Sequence, residues 1–168
     1  MNIYHGSDAV VERPEILQSN RLLDFGIGFY TTSNKEQANR WAEKVSLRNN
    51  TGKKILSVYN LDIEKARKQL NIIEFISADE KWLDFITVNR RGIEILKEYD
   101  VVIGPVADDN VYLTVKLFET GVLDKEEALK RLKVEKLFNQ ILFHTEKSLG
   151  FCVFDHYEDL GGKSNGEK

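Results

Sequence analysis

Short apolar runs alternate with longer amphipathic stretches along this chain, and that alternation limits the folds it can adopt. Runs rich in β-branched and aromatic residues indicate strands, and apolar residues at helical spacing indicate amphipathic helices. The patterns predict strands at 3–6, 29–32, 54–61, 71–75, 99–104, 138–144 and 150–157. They predict helices at 35–47, 62–70, 79–91, 109–120 and 124–133, with a short helical turn at 16–22.

The order of these elements favours one fold class over another. No Gly-x-Gly-x-x-Gly segment follows the first strand, so a Rossmann fold is not predicted. The helices also do not regularly separate strands in the manner of parallel α/β units. We therefore expect an α+β domain with largely antiparallel sheets over residues 1–160, followed by a flexible polar tail at 161–168.

The length, composition and net charge indicate which classes of protein this chain can belong to. A chain of 168 residues has the size of one domain, and its 42% apolar and 30% charged residues are typical of a globular protein. The net charge of -3 does not indicate a nucleic-acid partner. Neither a membrane-length apolar run nor a signal peptide is evident, so we expect a cytoplasmic protein without a membrane partner.

The single cysteine and the three histidines offer little support for a metal site or a thiol nucleophile. Cys152 lies in an apolar run and is predicted to be buried in a strand. The alternative is a Cys152–His156 pair on one strand face, four residues apart. The histidines are not at metal-ligand spacing, so no metal is expected.

Two segments carry residue types that suit a ligand. The first is Tyr4-His5-Gly6-Ser7, in which His5 offers a ring nitrogen to a ribose hydroxyl, Gly6 lets a flat ligand approach its backbone, and Ser7 adds a hydroxyl. The alternative is a half-buried histidine at a strand end, followed by a turn.

The second segment runs from Asp24 to Thr32 and contains Gly26, Gly28 and Tyr30. It is interpreted as a ligand-facing loop that presents Tyr30 as a stacking surface, or as a tight turn into a strand. Trp41 in the next helix offers a second stacking surface. Its spacing to Ala38, Ala42 and Val45 equally fits plain core packing.

Together these segments resemble the ADP-ribosyltransferase superfamily, in the branch of poly(ADP-ribose) polymerases and diphtheria-type toxins that carries a His, a Tyr and a late Glu. The resemblance implies a split pair of mainly antiparallel sheets with flanking helices, and NAD as substrate. It implies that His5 holds a ribose hydroxyl, that the Gly6 backbone holds the nicotinamide carboxamide, and that Tyr30 and Trp41 enclose the nicotinamide. Ser7 and Gly28 are expected to line the same pocket.

The whole chain also resembles a family of small bacterial proteins described as a domain of unknown function. The segments that carry this resemblance are Leu-Asp-Phe-Gly-x-Gly-Phe-Tyr-Thr-Thr, Trp-Leu-Asp-Phe at 82–85, the Asp-x-Val-x-Gly-Pro-Val-Ala-Asp-Asp segment at 100–109 and Gln-Ile-x-Phe-His-Thr at 140–145.

One position departs from the superfamily pattern. Gln140 stands where the late catalytic Glu is expected. Cleavage of the nicotinamide–ribose bond develops positive charge on the ribose, which a carboxylate stabilises and a neutral amide does not. The predicted catalytic set is therefore His5, Tyr30 and Gln140.

The resemblance implies mono-ADP-ribosyl transfer from NAD to an unknown acceptor. The alternatives are a weak or inactive NAD- or ADP-ribose-binding module, and an NAD glycohydrolase. Small bacterial transferases of this superfamily are often toxins, so a toxin–antitoxin role with a small antitoxin partner is a further expectation by analogy.

Four further residues are weaker candidates. Asp108 could reach the site or an acceptor, and Asp109 could do so or cap a helix. Arg90 could face a pyrophosphate or simply end a helix. His144 is in phase with Gln140 and is interpreted as a base or as a partly buried histidine.

Overall fold

The computed structural model describes residues 1–17, 23–91, 98–106, 109–133 and 137–161. The strands are β1 Asn2–Ser7, β2 Phe29–Thr31, β3 Ile55–Leu61, β4 Ile72–Glu74, β5 Val101–Pro105, β6 Asn139–Phe143 and β7 Cys152–Asp159. The helices are α1 Lys35–Asn49, α2 Ile63–Gln69, α3 Glu80–Arg90, α4 Asp109–Glu119, α5 Lys125–Leu132 and α6 Glu146–Leu149.

The strands form two sheets. Sheet A has the order β1-β3-β7, and sheet B has the order β2-β6-β5-β4. Every pairing within them is antiparallel except that of β4 with β5. The predicted α+β class with mainly antiparallel sheets is therefore confirmed.

In the described part of the chain, one β-bridge joins the edge strands of the two sheets. Tyr4 on β1 and Thr32, just after β2, exchange both main-chain hydrogen bonds at 2.8 and 3.0 Å. Because β1 and β2 are the edges of sheets A and B, this bridge fixes where the two sheets join.

Apolar side chains fill two layers around sheet B. One layer lies between the sheets and includes Ile3, Phe29 and Tyr59, and the other lies between sheet B and the helices α3 to α5. Trp82 is completely buried in the second layer, where its indole N–H donates to the Pro105 carbonyl at 3.1 Å. Trp82, Leu83, Phe85 and Ile86, which recur at helical spacing along α3, are all buried.

Capping residues mark the starts of two helices. Asn34 caps α1 by accepting the Gln37 N–H, and Asp79 caps α3 by accepting the Trp82 N–H. The four-residue helix α6, which begins at the exposed Glu146, was not predicted.

Some predicted features fall partly or wholly outside the described residues. Within the predicted helical turn at 16–22, residues 16 and 17 are not helical, and 18–22 lie outside the described ranges. So do residues 162–168 of the predicted tail. Among the helices that are described, none has the length and apolar character needed to cross a bilayer.

Candidate functional site

The edge strands β1 and β2 separate beyond the Tyr4–Thr32 bridge and leave main-chain groups of Gly6 facing the opening. In an antiparallel strand, alternate residues direct their N–H and C=O to opposite sides. The Met1 carbonyl accepts the Leu61 N–H, so odd-numbered residues of β1 bond to β3 and even-numbered residues face β2. Among the described residues, the Gly6 N–H and C=O have no partner strand on that side. A donor and an acceptor therefore lie together at the opening.

His5 is held by the strand across this opening. The same alternation directs the Tyr30 carbonyl toward β1, and His5 Nδ1 lies 2.8 Å from that oxygen. A carbonyl can only accept, so Nδ1 carries the proton and Nε2 is left as an acceptor. Burial lowers the pKa of His5, against the opposing effect of the Tyr30 hydrogen bond, which keeps the ring neutral. Its ring packs on Phe29 at 4.6 Å between centroids.

This arrangement predicts an order of histidine titration. His5 should titrate below the ordinary value of 6.5, because burial disfavours its charged form. The pKa of His156 should lie above 6.5, because its ring hydrogen-bonds the Asp155 carboxylate. NMR titration of the ring resonances, assigned with the variant His5→Gln, measures both. Nitrogen shifts should also show the Nδ1–H form of His5. A pKa of His5 at or above that of His156 would contradict the geometry.

Tyr30 is partly buried and its hydroxyl is engaged. The phenol donates to the Gly26 carbonyl at 2.7 Å, within its own turn. Burial, assisted by the negative charge of Asp24, raises the pKa of Tyr30 far above its usual range. Tyr30 is therefore a neutral aromatic surface and not a base.

Gln140 shares a face of sheet B with Tyr30. Tyr30 pairs with Leu142 on β6, and Gln140 lies two residues before Leu142, so the two side chains project from the same face of neighbouring strands. Gln140 is only 8% exposed, and its side-chain amide has no hydrogen-bond partner among the described residues. Its amide is thus available to a ligand on the face that carries Tyr30.

Trp41 lies beside the opening and not in the core. Gln37 Oε1 is 3.1 Å from the Thr32 hydroxyl, and Trp41 follows on the same stripe of α1, one turn further along. At that level α1 packs against Gly6, whose added Cβ would lie 2.0 Å from the Ala38 carbonyl oxygen. Trp41 is 51% exposed, so its core-packing interpretation is wrong, whereas Ala38, Ala42 and Val45 are buried as expected.

The other predicted pocket residues have structural partners. A Cβ on Gly28 would lie 2.4 Å from the Phe143 carbonyl oxygen, so this glycine allows the turn to pack on β6. Ser7 is the last residue of β1, where it pairs with Ile55 and, by strand alternation, shares a face with His5. Asp8, the next residue, accepts a hydrogen bond from the Asn49 amide at the end of α1.

Arg90 and His144 fix the glycine-rich turn instead of facing a ligand. Arg90 Nε donates to the Asp24 carboxylate at 2.6 Å, and its side chain is only 9% exposed. The Asn89 amide donates to the Asp24 carbonyl at 3.0 Å. His144 lies just after β6, and its Nδ1 bonds the Ile27 carbonyl. The turn that precedes Tyr30 is thus held from both sides.

Asp108 and the side chain of Asp109 lie outside the described residues. The main chain of Asp109 is described, and it is the first residue of α4.

The suggested Cys152–His156 pair is wrong. Cys152 is buried, and burial raises the pKa of its thiol to about 12. Strand β7 pairs Phe154 with Tyr59 but His156 with Val58, so a β-bulge interrupts the alternation between them. The bulge puts the exposed His156 on the face opposite Cys152.

Other features of the surface do not coincide with the predicted site. Within the ranges described, no three His, Cys, Asp or Glu side chains converge as a metal site would require. A groove of about 420 Å³ lies where the parallel strands β4 and β5 end, and it is lined by Ile76, Ser77, Ala78, Asp79, Glu80, Pro105, Leu129, Leu132, Lys133 and Leu137. None of the predicted site residues lines it.

Sequence reasoning missed the contacts that assemble the site. The anchoring of Asp24 by Asn89 and Arg90 joins segments far apart in sequence. So does the contact of Arg40 with Phe138, 5.5 Å from the guanidinium carbon to the ring centroid. No local pattern identifies such pairs.

Comparison with known proteins gives a family and no activity. The model of a family described as Protein of unknown function (DUF3990) matches residues 1–154. Neither the curated proteins nor the solved structures contain a match to the chain.

Proposed function

The chain belongs to the DUF3990 family, and we propose that it binds NAD at the opening between β1 and β2 and acts as a mono-ADP-ribosyltransferase. One observation carries the proposal. The N–H and C=O of Gly6, which have no strand partner among the described residues on the β2 side, lie next to His5, whose Nδ1–H is fixed on the Tyr30 carbonyl.

The main chain of Gly6 matches a carboxamide. The nicotinamide carboxamide offers one carbonyl acceptor and an amide donor, which a neighbouring main-chain donor and acceptor can bind together. Stacking on an aromatic ring favours nicotinamide binding, and Trp41 is an exposed aromatic residue on α1, the helix that packs against Gly6. The opening therefore supplies both the polar and the aromatic contacts that nicotinamide requires.

The remaining residues suit the ribose next to the nicotinamide. Neutral His5 can accept a ribose hydroxyl at Nε2, and the Gln140 carbonyl can accept another. During transfer the C–N bond breaks, nicotinamide leaves with the bonding electrons, and the acceptor nucleophile bonds to the ribose carbon and releases its proton to solvent. Gln140 orients the ribose in this step but contributes no negative charge.

That neutrality favours a second candidate, which is a module that binds NAD without turning it over. The two candidates differ in the effect expected from restoring a carboxylate at position 140.

We expect Gln140→Glu to raise nicotinamide release by about a hundredfold, because a fixed charge opposite developing charge is worth roughly 3 kcal/mol. His5→Ala should weaken NAD binding, since the acceptor at Nε2 is lost. Gln69→Glu makes the same change at an exposed position and should alter neither quantity. Nicotinamide release is followed by chromatography and NAD binding by calorimetry.

The outcomes separate the candidates. NAD binding without any nicotinamide release, in the natural protein and in Gln140→Glu alike, supports the binding module. Absence of NAD binding in the natural protein would refute the proposal.

A further inference from the structure

Arg40 lies next to the proposed site, on the face of β6 that carries Gln140. Its guanidinium carbon is 5.5 Å from the centroid of the Phe138 ring. Phe138 precedes Gln140 by two residues, and its carbonyl accepts the Val106 N–H at 2.7 Å, which continues the ladder of β6 with β5. Residues two apart on a strand share a face at a spacing of about 7 Å. Arg40 therefore contacts the residue that precedes Gln140 by one such step on the same face of the strand.

No ion pair of Arg40 is seen in the described part of the chain. Among the described residues, no carboxylate lies within 4.0 Å of its guanidinium, although Glu36 precedes it by one helical turn. Basic residues on the other helices do form such pairs, as Arg131 does with Glu127 and Lys130 with Glu126. Arg40 is exposed and contacts an aromatic ring instead.

The other arginine considered for a phosphate is already engaged. Arg90 lies 2.6 Å from Asp24 and 3.8 Å from Glu119, and its side chain is largely buried. Lys35, at the start of α1, pairs with Glu158 at 2.7 Å. Arg40, by contrast, contacts Phe138 just before β6 and makes no ion pair with any described residue.

We propose that Arg40 binds the diphosphate of NAD, an assignment that rests on the proposed function. With nicotinamide at Gly6 and its ribose at Gln140, the diphosphate extends along β6 toward Phe138. A guanidinium donates two parallel hydrogen bonds to phosphate oxygens, and stacking on Phe138 limits the orientations of its plane.

The test compares two ligands that differ in the diphosphate. NAD and nicotinamide riboside, which lacks the phosphates and the adenosine, are titrated by calorimetry into the natural protein, Arg40→Gln, Arg40→Lys and Arg48→Gln. Arg48 lies two turns further along α1 and is also exposed, so its variant is the matched control. Thermal unfolding of each variant confirms that it is folded.

We expect Arg40→Gln to weaken NAD binding about tenfold and to leave nicotinamide riboside binding unchanged, because only NAD loses a charge-assisted contact. The NAD affinity of Arg40→Lys should lie between those of the natural protein and Arg40→Gln, since lysine retains the charge but not the paired donors. Arg48→Gln should change the affinity for neither ligand.

Two results overturn the assignment while sparing the proposed function. One is unchanged NAD affinity in Arg40→Gln, and the other is an equal loss for both ligands, which would indicate that Arg40 shapes the nicotinamide site. Failure of the natural protein to bind either ligand would refute the proposed function and the assignment together.

Discussion

Gly6→Ala should yield a protein that is less stable by about 3 kcal/mol, at the upper end of what overpacking costs, and that has lost measurable NAD affinity. The added Cβ would lie 2.0 Å from the Ala38 carbonyl oxygen and 2.7 Å from the Ala42 nitrogen. Both are main-chain atoms of α1, so the strain cannot be relieved by rotating a side chain. The helix must move away from β1 and take Trp41 with it.

Urea unfolding measures the loss of stability, and calorimetry measures the loss of NAD binding. Gly150→Ala is the matched control, because its nearest atom would lie at 3.4 Å and its backbone is in the ordinary right-handed region. Equal stabilities of Gly6→Ala and Gly150→Ala would show that α1 does not press on β1 in the way described.

Arg90→Met should destabilise the protein by about 3–5 kcal/mol, because it leaves buried carboxylates without their cation. Asp24 and Glu119 are 2.6 and 3.8 Å from the guanidinium, and both are largely shielded from solvent. The substitution also removes the stacking of Arg90 on Tyr112, at 4.8 Å. Since Asp24 begins the turn that leads to Tyr30, NAD binding should weaken at temperatures where the variant is still folded.

Chemical unfolding measures the loss of stability in Arg90→Met and in Arg131→Met, and the difference between the two losses isolates the effect of burial. Arg131 pairs with Glu127 at the surface, at 3.2 Å, and exposed pairs of this kind contribute under about 1 kcal/mol. A loss in Arg90→Met no greater than in Arg131→Met would mean that the ion pair under the turn is energetically equivalent to a surface pair.

The contrast between these two arginines also shows what the sequence could predict. Helix ends follow from local chemistry, since Asn34 and Asp79 accept N–H groups only three residues away. The buried face of α3 follows from helical spacing. The role of Arg90 depends on Asp24, which is remote in sequence, so its helix-end position suggested a favourable dipole contact or a pyrophosphate contact but not this ion pair.

The same distinction applies to the candidate site. The position of Gln140 could be identified because it lies in a late predicted strand whose neighbouring residues resemble the superfamily pattern. The contact of His5 with the Tyr30 carbonyl could not, because it depends on β1 and β2 meeting at one bridge and then separating. Trp41 was ambiguous because helical spacing alone does not reveal which edge of the apolar stripe faces a sheet and which faces an opening.

Strand order was likewise beyond local patterns. The parallel pairing of β4 with β5 and the bulge that turns His156 away from Cys152 are set by tertiary contacts, not by alternation along one strand.

The position of β6 has a consequence for how the protein is made. This strand joins β2 to β5 at the centre of sheet B, yet it begins only at Asn139. During synthesis the ribosome therefore delivers His5, Gly6 and Tyr30 long before the strand that aligns them. In a nascent chain that ends before β6, no strand yet fixes the segments that carry these residues relative to one another. Ligand binding should accordingly appear in a single late event, when β6 inserts between β2 and β5, and partial chains should bind nothing.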